Sequence, residues 1–489
     1  MKKINSVVNV ASFEQKLLRA FCLIFLIVVL LLLCLKPPYW SLMDEPAIVR
    51  EMPNIVRQKA LGEYLVEYSK SDIASWGMFR PVYYAYIYYA YGYLSSSVSI
   101  FYAINFVVVL SILWGWSVLF EKYLMRSLAS HGLTEQQGWR YLFFTLCCLF
   151  TPHYNLFYYP TTQERFTLLF GLLVYWGLLE IGQEGKKFWL KSSAVIGGLI
   201  LALLGKASSL FMVPVALIYL LMQPQPKRRQ WYLIVSVIAI GLLFGWLFLS
   251  IRTAYSSQYQ LASFFERFLS HGIRFQIPFV TGAIGVIVLT LGWFVADPER
   301  SLQRLSNMLI WPLSLLGYVT IMYPWKHGLS GYYLLPSGVF WIGTIMLGYG
   351  LCLKWINRFF PRLRPWVLIG GLLVLSCFSI KKLYAEALQH YGTRLVLDKL
   401  SDELKDANDN LIIRMPPPCL EAANHLSGML GRPGSIRVLA PNDTFLDSSV
   451  HARRLLIIDK ECNARPSSFR ATRVLLDAPP WFVYEGIID

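Results

Sequence analysis

Apolar runs close to the length of a membrane crossing recur along most of the chain and stop near residue 380. A helix needs about 18–20 apolar residues to cross roughly 30 Å of hydrocarbon. Such runs lie at 18–35, 98–120, 140–158, 166–181, 191–204, 208–222, 231–250, 275–296, 306–323, 332–352 and 365–380. They predict about eleven crossings. Those at 191–204 and 208–222 are short and tightly linked, so a re-entrant pair is an alternative for them. The first run is too long for a cleaved signal, and no small-residue cleavage site follows it before Pro37.

The pattern changes twice. The stretch 36–97 is a long first outer loop. Pro46 suits the first position of a helix, with Asp44 or Glu45 as its cap. Ile48, Met52, Ile55 and Val56 fall on one face of that helix, which predicts a helix lying on the membrane surface. Arg80-Pro81 then precedes a run containing Tyr83, Tyr84, Tyr86, Tyr88, Tyr89, Tyr91 and Tyr93. Tyrosine favours the headgroup layer, so this segment reads as an interfacial helix and an aromatic belt. Beyond 380 the chain turns polar. A helix to about Asn408 precedes four strand-like segments at 411–414, 436–439, 455–458 and 474–476, with breaks at Pro416-Pro417-Pro418 and Arg432-Pro433-Gly434. The expected fold is mostly α: a polytopic helical bundle over 1–380, followed by a small α/β domain over 381–489. No fixed-period repeat is visible.

Composition sharpens this. The 489 residues are 56% hydrophobic and 15% charged, against about 25% charged in soluble domains. The mean hydropathy is +0.47. The formal net charge of +16 raises the possibility of nucleic acid as a partner, but its location argues otherwise. The tail from Lys381 has as many acidic as basic residues, so the excess lies in the membrane part, mostly in short loops. No zinc spacing or RNP-like strand accompanies it. Lys2, Lys3, Lys16 and Arg19 place the N-terminus in the cytoplasm, and Lys and Arg recur in each later loop that alternation puts inside. An odd number of crossings then leaves the C-terminal domain extracytoplasmic. In that setting Cys419 and Cys462 are candidates for one disulfide, whereas the other cysteines lie in or beside apolar spans.

Ionisable residues gather at the outer ends of different spans. Asp44 and Glu45 follow the first. Arg80 opens the tyrosine helix. His153 and Arg165 flank a loop carrying Tyr158 and Tyr159. Lys206 lies between two spans, Arg252, Lys326 and His327 end later ones, and Tyr332 and Tyr333 open the next. Charge at these depths is costly unless it faces a wet cavity or a partner. A lipid phosphate is a partner several cations can share. Each residue also has an ordinary reading: helix cap for the acids, snorkelling for Lys206, headgroup anchor for Arg80, a hydrogen-bonded histidine for His153 and His327. A transporter would instead want ionisable groups near mid-span and two similar halves, neither of which is seen.

This combination resembles the GT-C membrane glycosyltransferases, a class that includes protein O-mannosyltransferases and lipid A aminoarabinose transferases. The resemblance is carried by the acidic pair Asp44-Glu45 past span one, the Arg80-Pro81 aromatic helix, and the turn Gly205-Lys206-Ala207-Ser208 before a run with Pro214. Trp325-Lys326-His327-Gly328 with Tyr332, Tyr333 and Pro336 adds a late outer motif. At the turn this chain has Lys206-Ala207 where the class more often has Lys-Glu. In size and single outer tail it is similar to the phage-type O-antigen glucosyltransferases. The resemblance implies a bacterial inner-membrane enzyme that takes a sugar from a polyprenyl-phosphate donor and gives it to an extracytoplasmic glycan or lipid. Asp44 or Glu45 would be the base. Arg80, Arg165, Lys206, Arg252, Lys326, His327 and Tyr332 would bind the lipid phosphate and sugar. No cofactor is required; a divalent metal would find carboxylates but is not demanded. An O-antigen polymerase or ligase, or a transporter of lipids or small molecules, is the alternative reading.

Overall fold

The computed structural model describes residues 2–36, 45–76, 78–95, 97–128, 138–181, 187–223, 228–250, 273–296, 301–322, 334–359, 364–403, 411–414, 436–439, 454–459, 469–478 and 481–488. Helix α1 is Lys2–Leu35. Three helices follow in the first loop: α2 (Glu45–Gln58), α3 (Leu61–Trp76) and α4 (Pro81–Leu94). The bundle continues with α5 (Val98–Ser127), α6 (Trp139–Leu149), the short α7 (Tyr154–Tyr158), α8 (Glu164–Ile181) and α9 (Phe188–Gly205). A 3-10 turn at Ala207–Phe211 leads into α10 (Met212–Leu221), α11 (Arg228–Ser250), α12 (Ile273–Ala296), α13 (Leu302–Met322), α14 (Leu335–Phe359) and α15 (Arg364–Glu403).

Among the described residues, eight helices are long and apolar enough to cross a membrane. Large apolar side chains such as Leu242, Leu249, Val295 and Phe378 stand exposed on them, as a hydrocarbon solvent permits and water does not. The chain is an integral membrane protein. Each expected span coincides with a helix, but three are not crossings by length and composition. The span expected at 140–158 is broken after Leu149 by a 3-10 turn and α7. That at 208–222 is shortened by its own 3-10 turn. Helix α8 carries Glu164, Arg165 and Glu180 at its ends.

The core is aromatic. Trp311 on α13 packs edge-on against Trp116, Phe120 and Phe143 at ring separations of 5.9, 5.2 and 5.7 Å. Helices α8 and α9 pack closely, as small residues allow where no hydrophobic effect drives association. A Cβ on Gly198 would lie 3.0 Å from the Phe170 carbonyl oxygen, and one on Gly205 would lie 2.8 Å from Phe166 Cβ.

The first loop departs from expectation. It is a small helical unit with its own core, not a helix and belt spread on a surface. Met52 of α2 is buried, with Ile48, Ile55 and Val56 packed behind it, against Tyr64, Tyr84, Tyr88 and Tyr91. Tyr89 and Tyr93 remain exposed. The reason is helical period: tyrosines spaced one, two and three apart occupy more than one face, and α2 and α3 cover one of them.

Beyond the spans, α15 runs unbroken to Glu403, through the boundary expected at 380. No proline occurs between Pro365 and Pro416 to end it. The strands β1 (Leu411–Arg414), β2 (Ile436–Leu439), β3 (Arg454–Asp459), β4 (Phe469–Ala478) and β5 (Trp481–Ile488) form one mixed sheet in the order β2-β1-β3-β5-β4. Strand β1 pairs parallel with β2 and β3, and β5 pairs antiparallel with β3 and β4. Strand β5 lies outside the four segments expected from sequence.

Candidate functional site

The tight α8–α9 packing sets the site. Because Gly205 lets the end of α9 close on Phe166, the next residue, Lys206, arrives beside the first turn of α8. Its backbone is extended and its N–H bonds back to the Ala202 carbonyl at 2.8 Å. Its ammonium lies 3.1 Å from Glu164 Oε1 and donates to Gln163 Oε1 at 3.4 Å. Glu164 is fully buried, and no hydrogen bond reaches either carboxylate oxygen. The Lys206 side chain keeps 15% of its surface exposed. Thus a buried carboxylate depends on one partly accessible ammonium, with the buried Ser208 hydroxyl, itself without a hydrogen bond, two residues along.

Arg165 follows Glu164 but turns the other way. Its Nε donates to the Thr162 carbonyl at 3.0 Å and its Nη2 to the Tyr159 carbonyl at 3.0 Å. Its Nη1 donates to Asn105 Oδ1 at 2.8 Å and to the Tyr86 hydroxyl at 3.1 Å. The Asn105 amide donates in turn to the carbonyls of Leu156 and Phe157, at 3.0 and 2.9 Å. These bonds form one largely buried network. Through these bonds Arg165 clamps the loop between α6 and α8.

Arg80 is likewise engaged. It grips Asp72 through Nε at 2.9 Å and Nη2 at 2.7 and 2.9 Å, and the Tyr84 hydroxyl donates to the same carboxylate. Burial pushes the Asp72 carboxyl up from its ordinary value, and the Arg80 guanidinium opposes that rise. Arg80 therefore staples α3 to the start of α4. Removing one member of a buried pair strands the other. Arg80→Ala should cost about 3 kcal/mol, read as a lower melting temperature of the purified protein, and Asp72→Asn in the same chain should restore much of it. No change on Arg80→Ala would show that the staple is idle.

Helix α4 joins these groups. Tyr83 and Tyr86 pack edge-on against Phe166 at 6.4 and 5.6 Å, and the Arg165 guanidinium lies 5.3 Å above the Tyr86 ring. So Arg165 and Lys206 lie at the end of the bundle against which α4, opened by Arg80, packs. Glu45 is the first residue of α2, which packs on α4 through Val56 and Gly92; its side chain lies outside the description. Asp44, Arg252, Lys326, His327, Tyr332, Cys419 and Cys462 lie outside the described residues. His153 is buried with Nδ1 2.7 Å from the Cys147 carbonyl and Nε2 3.1 Å from that of Leu335. It ties α6 to α14. Sequence reasoning missed Glu164 and Asp72. The available signal was an acid beside a cation at the mouth of an apolar run, and an acid eight residues before Arg80.

No family model matches the chain, and no curated protein matches it. Among solved structures it is similar to the crystal structure of ArnT from Cupriavidus metallidurans in the apo state. The identity is 12% and the TM-score 0.44, over 96% of this chain and 98% of that one. A likeness of that degree assigns no side chain a role.

Proposed function

We propose that this protein is a membrane glycosyltransferase of the GT-C kind. It would move a sugar from a polyprenyl-phosphate donor to an extracytoplasmic glycan or lipid, with glucosylation of O-antigen as the specific case. The observation that carries this reading is the placement of Lys206. It is a partly exposed ammonium, held by Glu164, at the end of α9, the helix against which α4 of the first loop packs. An anionic lipid headgroup is the partner such a cation can take at the edge of hydrocarbon.

The chemistry is a single displacement with inversion. The acceptor hydroxyl oxygen attacks the anomeric carbon and forms the new glycosidic bond. Its proton passes to the carboxylate of Asp44 or Glu45. The bond from the anomeric carbon to the phosphate oxygen breaks, and its electron pair leaves with the polyprenyl phosphate. Lys206 stabilises that growing negative charge, with Arg252, Lys326, His327 and Tyr332 as further candidates. Arg80 and Arg165 contribute by fixing α4 over the end of α8. Against transport, the buried Glu121 and the half-buried Glu180 lie towards helix ends and are paired with Arg140 and Arg126, whereas a transport path wants ionisable groups at mid-span.

Expressing the chain in a host that makes a lipid-linked surface polysaccharide tests the reading. The polysaccharide should gain the mass of one hexose per repeat. An unchanged mass spectrum, with the protein present in the membrane and the lipid-linked sugar donor supplied, would count against it.

A further inference from the structure

A second site lies away from the Lys206 end, on the lipid-facing side of the bundle. Helices α1, α5 and α6 border an open groove of about 520 Å³, walled by Leu23, Leu26, Leu110 and Phe144 among others. Its volume is in the range of sites that take one small ligand, about 300–1,000 Å³. The Ser111 hydroxyl on its wall is spent on the Val107 carbonyl at 2.8 Å, so the walls present almost no polar group.

One end of the groove is charged. The Arg19 guanidinium lies 4.9 Å above the Tyr141 ring. Arg140 lies 5.8 Å above the Trp114 ring, and Trp114 and Tyr141 are themselves 5.8 Å apart. Arg140 is bound to Glu121. Arg19 is exposed, and among the described residues no carboxylate pairs with it. Lys16, also exposed, precedes it by three residues and so lies on the same side of α1. Arg19 thus lines the end of a greasy channel, with the Arg140–Glu121 pair beside the same aromatic rings. Along α5, Trp114 is nine residues, or about 14 Å, from Asn105, so the groove's charged end is distinct from the Arg165 clamp.

We propose that this groove is a binding site for an anionic glycerophospholipid. Its phosphate sits on Arg19, with Lys16 beside it, and one acyl chain lies along Leu23, Leu26 and Leu110. The site recognises charge at one end and hydrocarbon along its length. A guanidinium over an aromatic ring is already oriented, so it binds a phosphate through two donors with little further ordering. The proposal is independent of the transferase reading.

Native mass spectrometry of the full chain, stripped of lipid and given phosphatidylglycerol or phosphatidylcholine of equal acyl length, tests it. The wild type should retain phosphatidylglycerol about fivefold more strongly, the effect of one basic residue near an anionic headgroup. Arg19→Gln should erase that preference. Ser111→Trp, which keeps Arg19 and fills the groove, should weaken retention of both lipids and keeps the test open if Arg19→Gln fails to fold. Equal retention of the two lipids by the wild type would overturn the site. So would a preference that survives Arg19→Gln, or wild-type binding by Ser111→Trp. Displacement of phosphatidylglycerol by an equal concentration of polyprenyl phosphate would assign the groove to the carrier lipid and reject the proposal.

Discussion

Lys206→Ala should destabilise the folded protein by about 3–5 kcal/mol, the loss expected when a buried charge is left alone. Glu164 is wholly buried and accepts no hydrogen bond, so the Lys206 ammonium at 3.1 Å is its compensation. Without it the carboxylate must either stay ionised in a poor dielectric or take up a proton, and both cost free energy. Glu164→Gln should cost less, because the ammonium left behind is partly exposed and can turn to the headgroups. The double variant Lys206→Met with Glu164→Gln should regain most of the stability, since neither charge then needs a partner. Thermal unfolding of the four proteins in one detergent checks the set. Equal melting temperatures for wild type and Lys206→Ala would mean that the pair carries no weight. Rescue also separates stability from chemistry: the double variant should be folded yet poor at using a lipid-phosphate donor, because the cation is gone.

The helices were legible in the sequence because hydrocarbon imposes a long, simple code. Most apolar runs became single helices, those at 140–158 and 208–222 being interrupted by 3-10 turns, and four of the five strands began from short β-branched runs. Where tertiary contact decided the outcome, the sequence was silent. The tyrosines of α4 suggest an aromatic belt, and nothing local says that α2 and α3 will cover Tyr84, Tyr88 and Tyr91. Lys206 stood out as a cation between spans, but its pairing with Glu164 arises from two helices meeting through Gly198 and Gly205. Arg80 and Arg165 drew notice as charges in greasy surroundings, which is correct as energetics. Their partners, Asp72 eight residues back and Asn105 sixty residues back, show how the energetic cost is met inside the protein. A charge at a membrane interface is thus a sign of some partner, and sequence does not say whether that partner is substrate or self.

That distinction makes the acidic pair the decisive test of chemistry. Asp44→Asn and Glu45→Gln keep size and polarity but remove the ability to accept a proton. If one of them is the base, its amide variant should lower sugar transfer by about 10²–10⁴-fold, the usual contribution of a positioned base. The other should lose far less, and the double variant should match the more damaging single change. Folding should be nearly unaffected, because at the start of α2 an acid contributes through capping and the helix dipole, about 1 kcal/mol. Transfer is read as radiolabelled sugar passing from lipid carrier to acceptor in membranes holding equal amounts of each variant. Equal rates in the wild type, both single variants and the double variant would remove the proton acceptor from the mechanism. Lys206 and Glu164 would then stand as a structural pair beneath the first-loop helices. Loss of transfer with normal insertion would instead tie the chemistry to the helix that packs on α4, over the same end of the bundle where Lys206 waits.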